Sequence, residues 1–554
     1  MHLAPSTAWA WLIACAVVIL FFPLAAQFGN LKGKLSSFRT WVWAIALLGI
    51  VTAGFIPFTF GTDIANFEVQ PFIFFITGTL LGVLFLGEFH RMNAQKKLKH
   101  PQRVHAERRT RYSKAVEHLA YPNPAVRASA ISTLAGLVDE WLADEQLSVE
   151  ARQKEGQVIV NALCAYVRSP FARAFKAEAF ESDTPPANYA GDFATDLAAF
   201  RGEQDVRRSV FVEMSKRSST LTENEKGEVA VVPGAWSGFE FDFSRAVIFY
   251  PLDGLTLENA DFSAAKFCNG SDFSGAAFVG TVDFSRATFG EIVGFGDATF
   301  AGDANFSHAT FTRSANFGGA SFGQSADFGC STFNHRASFD HATFNANAEF
   351  HEASFGGHAD FHDIAFAADV RFSGASFDQD AGFYGASFGG NASFFRTDFA
   401  GTAEFREAVF EGYAGFSTAA FSGDANFSGV VFERLAWFAD AAFEAGAEFA
   451  GASFMGVADF CNVSFVKTPP VFVTEDATSG EVCRARFAAL PAGSESAGQE
   501  AHNFAVYEGS QPIPLGTAGL NGVGYRIPVG AVLFDPASWD ERQKKYTRIS
   551  EPAQ

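Results

Sequence analysis

The chain has 554 residues, 66 of them phenylalanine, and a formal net charge of −20. Its six cysteines, Cys15, Cys164, Cys268, Cys330, Cys461 and Cys483, are far apart and form no CxxC pair. That spacing points to neither a zinc framework nor a redox dithiol, and it fits a reducing cytoplasm.

Three apolar segments come first: Ala8 to Phe28, Trp41 to Phe60 and Phe72 to Gly87. The first two meet the requirement of about 20 residues for a spanning helix, and the third is short but nearly uncharged. A cleaved signal peptide is the alternative for the first, but Met1 to Thr7 carries no Lys or Arg. Lys32, Lys34 and Arg39 lie between the first two segments, and a basic run from Arg91 to Lys114 follows the third. Positive loops stay inside, so the expected topology is three transmembrane helices with the N-terminus out and everything after Gly87 in the cytoplasm. The expected location is a bacterial plasma membrane. The basic run is read as the topology determinant lying against anionic lipid, with nucleic-acid or head-group binding as the alternative.

From Tyr112 to Arg173 apolar residues recur at helical spacing, as in Leu134, Leu137 and Trp141, then Ile159, Leu163 and Val167. Pro122 and Pro124 separate the first helix from the second. A small HEAT-like pair or triplet is expected, with a further helix around Asp205 to Arg217 leading to a first coil near Trp236.

Then the rhythm changes. Phenylalanine recurs at intervals alternating five and six residues, from the pair Phe262/Phe267 to the pair Phe460/Phe465. Two residues before each stands a small side chain, usually alanine, with Asp, Asn, Thr or Ser between, as in Ala304-Asn305-Phe306 and Ala309-Thr310-Phe311. Residues two apart on an extended segment share a face, so Ala and Phe point inward together. Steps of five and six would carry phenylalanine around every side of a helix, which excludes one. Four faces of five, six, five and six residues close a coil of 22, so nine to ten coils and a rod of roughly 45 Å are expected. Gly, Asn, Asp and Ser fill the corners. Val282, Val293, Ile364, Val370, Thr397, Val430 and Val463 replace the inward alanine and are expected to cause local bulging.

The A-(D/N/T/S)-F-x-x motif over Phe241 to Phe465 resembles the pentapeptide-repeat family in its phenylalanine-rich variant. The resemblance implies a right-handed quadrilateral β-helix. The stretch YSKAVEHLAYPNPAVRASA is similar to a juxtamembrane segment of membrane-anchored members, and implies no activity. After Phe465 the rhythm stops, and a small cap followed by a mobile tail is expected, with Leu490 to Ala501 disordered.

The chain thus reads as multi-domain: an α-helical transmembrane region over 1–90, a basic linker over 91–114, a helical segment over 115–235, a β-helix over 236–466, and a cap and tail over 467–554. Identical units spread their chemistry along a rod instead of gathering unlike groups in a pocket, so no enzyme and no catalytic residue is expected. No cofactor or metal is assigned either. His308, Cys330 and Glu352 fall in one column, and Asp340, His362 and Tyr384 in another, but these are corner or outward positions on separate coils with no further ligand.

From Glu240 to Val466 there are 29 acidic and 9 basic residues. Some pentapeptide-repeat proteins are acidic rods that mimic DNA on a topoisomerase, so the resemblance implies that alternative. A tether to the bilayer speaks against it, and nucleic acid is not the expected partner. An enzyme hidden in the C-terminal cap has no supporting constellation. Tyr384, Phe395, Tyr413, Leu435 and Trp437 break the polar outer surface, and Tyr413, Leu435 and Val457 share one column. They mark a surface for a cytoplasmic protein partner, or else a seat for the C-terminal segment. The preferred reading is a non-enzymatic, membrane-anchored scaffold.

Overall fold

The computed structural model describes residues 103–223, 229–268, 271–475, 482–489, 504–505 and 513–554. The three apolar segments assigned to membrane spans lie outside them, as do 91–102 of the basic run and 490–501 of the segment expected to be disordered. Among the described residues no helix is long and apolar enough to cross a membrane. The chain divides into two compact units, 1–111 and 112–554, and the second contains both the coiled repeat and the elements that cover its ends.

The repeat folds as the alternating intervals require. Parallel two-residue strands stack coil on coil, for example Ala304 on Ala326 and Phe311 on Phe333, so one turn takes the expected 22. Each coil visits four faces, typified by Ala304–Asn305, Thr310–Phe311, Ala315–Asn316 and Ser321–Phe322, called here the first to fourth. Their sheets contain 12, 11, 8 and 12 strands respectively. The regular part makes about ten turns, and irregular coils at both ends lengthen the stack beyond the nine to ten expected. The longest sheets span about 50 Å at the usual strand spacing.

Strand spacing also sets the core. Phe289 and Phe311 stack with ring centroids 4.6 Å apart and planes 1° from parallel, and Phe311 and Phe333 do so at 4.5 Å. Rings on different faces meet edge to face, as Phe306 and Phe317 do at 5.5 Å and 89°. Both geometries match the quadrupole of the ring. All seven residues that replace the inward alanine are buried, and no pairing slips. The expected bulging is absent. Beside Ile364 the ring tilts, Phe366 lying 25° from Phe344, whereas beside Val293 the Phe295 ring stays 2° from Phe273 and from Phe317.

Two kinds of corner alternate. After the first and third faces the chain makes a tight turn with a residue at positive φ, and this residue recurs at every eleventh position: Arg286, Asp297, His308, Gly319, Cys330, His341. In Phe306-Ser307-His308-Ala309, the N–H of Ala309 donates to Phe306 O at 3.0 Å and His308 has φ 57°, the pattern of a type II turn. After the second and fourth faces the corner is wider, and Asp or Asn there ties two coils together. Asn391 N–H donates to Asp369 Oδ1 at 2.8 Å, and Tyr413 N–H to Asn391 Oδ1 at 3.1 Å. The coil is therefore two similar halves, and the first and third faces are built alike.

Both ends of the stack are covered. Helices α1 (Pro124–Leu142), α2 (Val149–Arg168) and α3 (Phe193–Ser215) form the N-terminal cap, with Asn123, Ser148 and Asp192 as N-caps. Sequence spacing marks the last of these only over its C-terminal half. Phe211 of α3 continues the ring stack, 4.6 Å from Phe243. Gln157 of α2 bonds both the C=O and the N–H of Glu240, closing a sheet edge that would otherwise invite pairing. Trp236 is buried at this junction, its indole N–H donating to Asp139 Oδ1 at 3.0 Å. A hairpin, Thr220–Glu223 with Val229–Val232, makes the end of the expected helical segment a β element.

The C-terminal region differs most from expectation. Although the five–six rhythm ends at Phe465, the ring stack goes on: Phe472 stacks on Phe449, Phe487 on Phe454 at 4.8 Å and 2°, and Phe504 lies 5.2 Å from Phe460. Insertions between these rings hide the last coil from the periodicity. The final residues are docked and do not form a mobile tail. Ala553 is buried, and Thr517 N–H donates to Gln554 O at 2.9 Å.

Candidate functional site

On the first face the residue after each inward alanine points out. Pairing places Ser393, Gly415, Trp437 and Asp459 in one outward row. Trp437 stands beside a glycine and is 46% exposed. At the wide corner that opens this face, Ala414 N–H donates to Leu435 O at 3.0 Å and Ala436 N–H to Val457 O at 2.9 Å, which fixes Tyr413, Leu435 and Val457 as a column. Tyr413 is 52% exposed, and Leu435 and Val457 are half-buried. Phe395, 45% exposed, sits at the tight corner that closes the same face.

Tyr384 lies elsewhere. It follows Phe383 at the corner after the third face, on the opposite side of the coil. Its ring is 4.8 Å from His362 and 4.8 Å from the Arg406 guanidinium, and its hydroxyl donates to Glu407 at 3.2 Å, which raises its pKa. The five residues singled out in the sequence therefore divide into four on one face and one engaged within the rod.

A groove of about 320 Å³ adjoins Tyr413, lined by Asp369, Gly389, Gly390, Asn391, Glu411, Gly412, Glu433 and Arg434. Its floor exists because glycine is the residue there: a Cβ on Gly412 would lie 2.2 Å from Gly390 O, and one on Gly390 2.3 Å from Ala368 C. Arg434 turns toward the Tyr413 ring, 5.9 Å from its centre. The phenylalanine rhythm does not reveal this groove. Its one signal in the sequence is the replacement of side-chain-bearing corner residues by Gly389-Gly390 and Gly412 in successive coils. The C-terminal segment reaches the rod at the same corner one coil further on: Met455 continues the column of Glu411 and Glu433, and the Tyr546 hydroxyl donates to its Sδ at 3.4 Å.

The histidine and cysteine columns are surface ladders. His308, Cys330 and Glu352 all occupy tight corners with φ between 53° and 57°, and Cys330 Sγ is 3.7 Å from Glu352 Oε2. Among the described residues no group of three or more His, Cys, Asp or Glu could hold a metal ion. In the other column Asp340 accepts from the Ser338 hydroxyl, and His362 packs on Tyr384.

Residues 284–329 and 372–420 match the family model for pentapeptide repeats, in nine copies. The solenoid is a pentapeptide-repeat domain. No curated protein and no solved structure matches the chain. The matched blocks cover regular coils of the pentapeptide-repeat stack, and the stacked rings carry the same architecture through residues between and beyond them.

Proposed function

We propose that the chain is a non-enzymatic scaffold, held in a bacterial plasma membrane by three N-terminal spans, that offers the first face of its pentapeptide-repeat rod to a cytoplasmic protein partner. The observation that carries this reading is the exposure of Phe395, Tyr413 and Trp437 together on one face of the rod. Every coil is bonded to the next through its strands and corners. Such a surface loses little freedom when a partner arrives, which favours binding.

A photoreactive amino acid at position 437, in membranes of the native cell, tests it. A recurrent crosslinked protein is expected, absent when the probe sits at Glu444 on the second face, and lost in Tyr413→Ser/Leu435→Ser. Equal yields at 437 and 444 would remove the assigned face. The acidic-rod alternative predicts instead that the purified chain inhibits DNA supercoiling by a topoisomerase.

A further inference from the structure

The groove beside Tyr413 holds charges that the fold leaves unpaired. Glu411 and Glu433 follow Phe410 and Phe432, which pair in register, so their backbones stand one strand spacing apart, about 4.8 Å. Like charges on adjacent rungs of a face disfavour one another. Some acids elsewhere on the rod have cations: Arg313 lies 3.8 Å from Glu291, Arg336 2.9 Å from Asp360 and Arg371 3.3 Å from Glu349. Among the described residues neither Glu411 nor Glu433 has an ion pair or a side-chain hydrogen bond. Arg434, the cation next in sequence, is directed to Tyr413 instead. Both carboxylates are exposed, and both line the glycine-floored groove.

We infer that this corner takes an extended peptide segment of the partner, with a Lys or Arg side chain between Glu411 and Glu433 and an apolar side chain on Tyr413, Leu435 and Trp437. The inference rests on the partner-surface reading above. It adds the chemistry of the occupant. Two residues apart on an extended chain, side chains project the same way about 7 Å apart, so a basic-x-apolar pattern reaches the groove and the apolar column together. The cation relieves the repulsion between the stacked carboxylates, and the apolar residue covers the half-buried Leu435.

The probe is a fluorescein-labelled peptide of repeating Lys-Ser-Leu-Ser units, titrated against the detergent-solubilised full chain and read by anisotropy. Peptides with Glu for Lys, or Ser for Leu, are the controls. Saturable binding of the Lys/Leu peptide alone is expected. It should weaken at least tenfold in Glu411→Gln/Glu433→Gln, lose most of its salt dependence there, and weaken similarly in Leu435→Ser/Trp437→Ser. Asp378→Asn/Glu444→Gln, the same change in charge on the second face, should leave it unaltered. Unchanged affinity in Glu411→Gln/Glu433→Gln, or an equal loss in Asp378→Asn/Glu444→Gln, would overturn the inference. The crosslink from position 437 separates the two readings. If it persists in Glu411→Gln/Glu433→Gln, the partner surface stands and the basic occupant falls, whereas its absence from the unaltered chain removes the surface itself.

Discussion

Asp327 Oδ1 accepts the backbone N–H of Gly329 at 2.7 Å, and in doing so it sets the tight corner that follows Phe328. The same bond recurs from Asp261 to Ser263, Asp283 to Ser285, Asn305 to Ser307, Asn426 to Ser428 and Asp459 to Cys461. Asp and Asn bond their own backbone two residues on more readily than Ser or Thr do. This explains why they concentrate before the tight corners, while Thr and Ser precede the wide ones. It also gives part of the negative charge a structural role.

Asp327→Ala should therefore destabilise the rod by about 1 kcal/mol, the ordinary net worth of such a bond. Asp327→Asn should restore most of it, because the acceptor matters and the charge does not. Thermal unfolding of the three proteins side by side checks both statements, and equal loss in Ala and Asn would show that charge was responsible.

Glycine and non-glycine corners predict opposite outcomes. Gly412→Ala drives a methyl to 2.2 Å from Gly390 O and should cost about 1–3 kcal/mol in chemical denaturation. His308 has φ 57°, a region that disfavours a Cβ, and its N–H is already bonded to Gly329 O. His308→Gly should leave stability unchanged or raise it by up to about 1 kcal/mol.

Glu448 makes the stack sensitive to pH. Burial raises its carboxyl above the ordinary 4.5, the N–H of Ala450 opposes that rise, and Oε1 is buried without a partner. A raised folded pKa means that the folded chain holds the proton more tightly than the unfolded one. The resulting stabilisation is full below the ordinary value and is lost as pH rises through the raised one. Glu448→Gln should consequently raise the melting temperature at pH 7 and make no difference at pH 4, as measured by calorimetry in both buffers.

Thiol reactivity reports the integrity of the two ends. Burial pushes the Cys164 thiol in α2 up to about 12, and burial with Asp459 does the same for Cys461. Cys483 is exposed. Iodoacetamide at pH 8 should label Cys483 within minutes and spare Cys164 and Cys461 until denaturant is added, with mass spectrometry locating the label. Early modification of Cys164 would mean that the helical cap opens independently of the coils.

Periodicity made the rod legible: the side of every Phe from Phe262 to Phe465 follows from its spacing, and the structure buries them all except Phe395, which falls outside the rhythm. Geometry that depends on two coils at once was not legible. The five–six alternation, and Asp or Asn alternating with Thr or Ser, mark two kinds of corner in the linear pattern, but not that side chains at the wide ones bond from coil to coil. Phe487 does not stand out as a continuation of the stack although Ala485-Arg486-Phe487 keeps the motif, since inserted segments break the interval that gives the motif its weight. The apolar column at Tyr413 and Leu435 can be read from a coil of 22, whereas the unpaired state of Glu411 and Glu433 requires knowing where Arg434 turns.

Because the half-coil is the true unit of construction, length changes in this rod are quantised in orientation as well as in height. Excising one whole coil below the apolar column would lower it by a single rung and keep its azimuth, whereas excising half a coil would carry Tyr413 and Trp437 around to the far side while leaving the ring stack whole. A lineage that gains or loses half-coils can thus redirect what the rod displays without redesigning its interior.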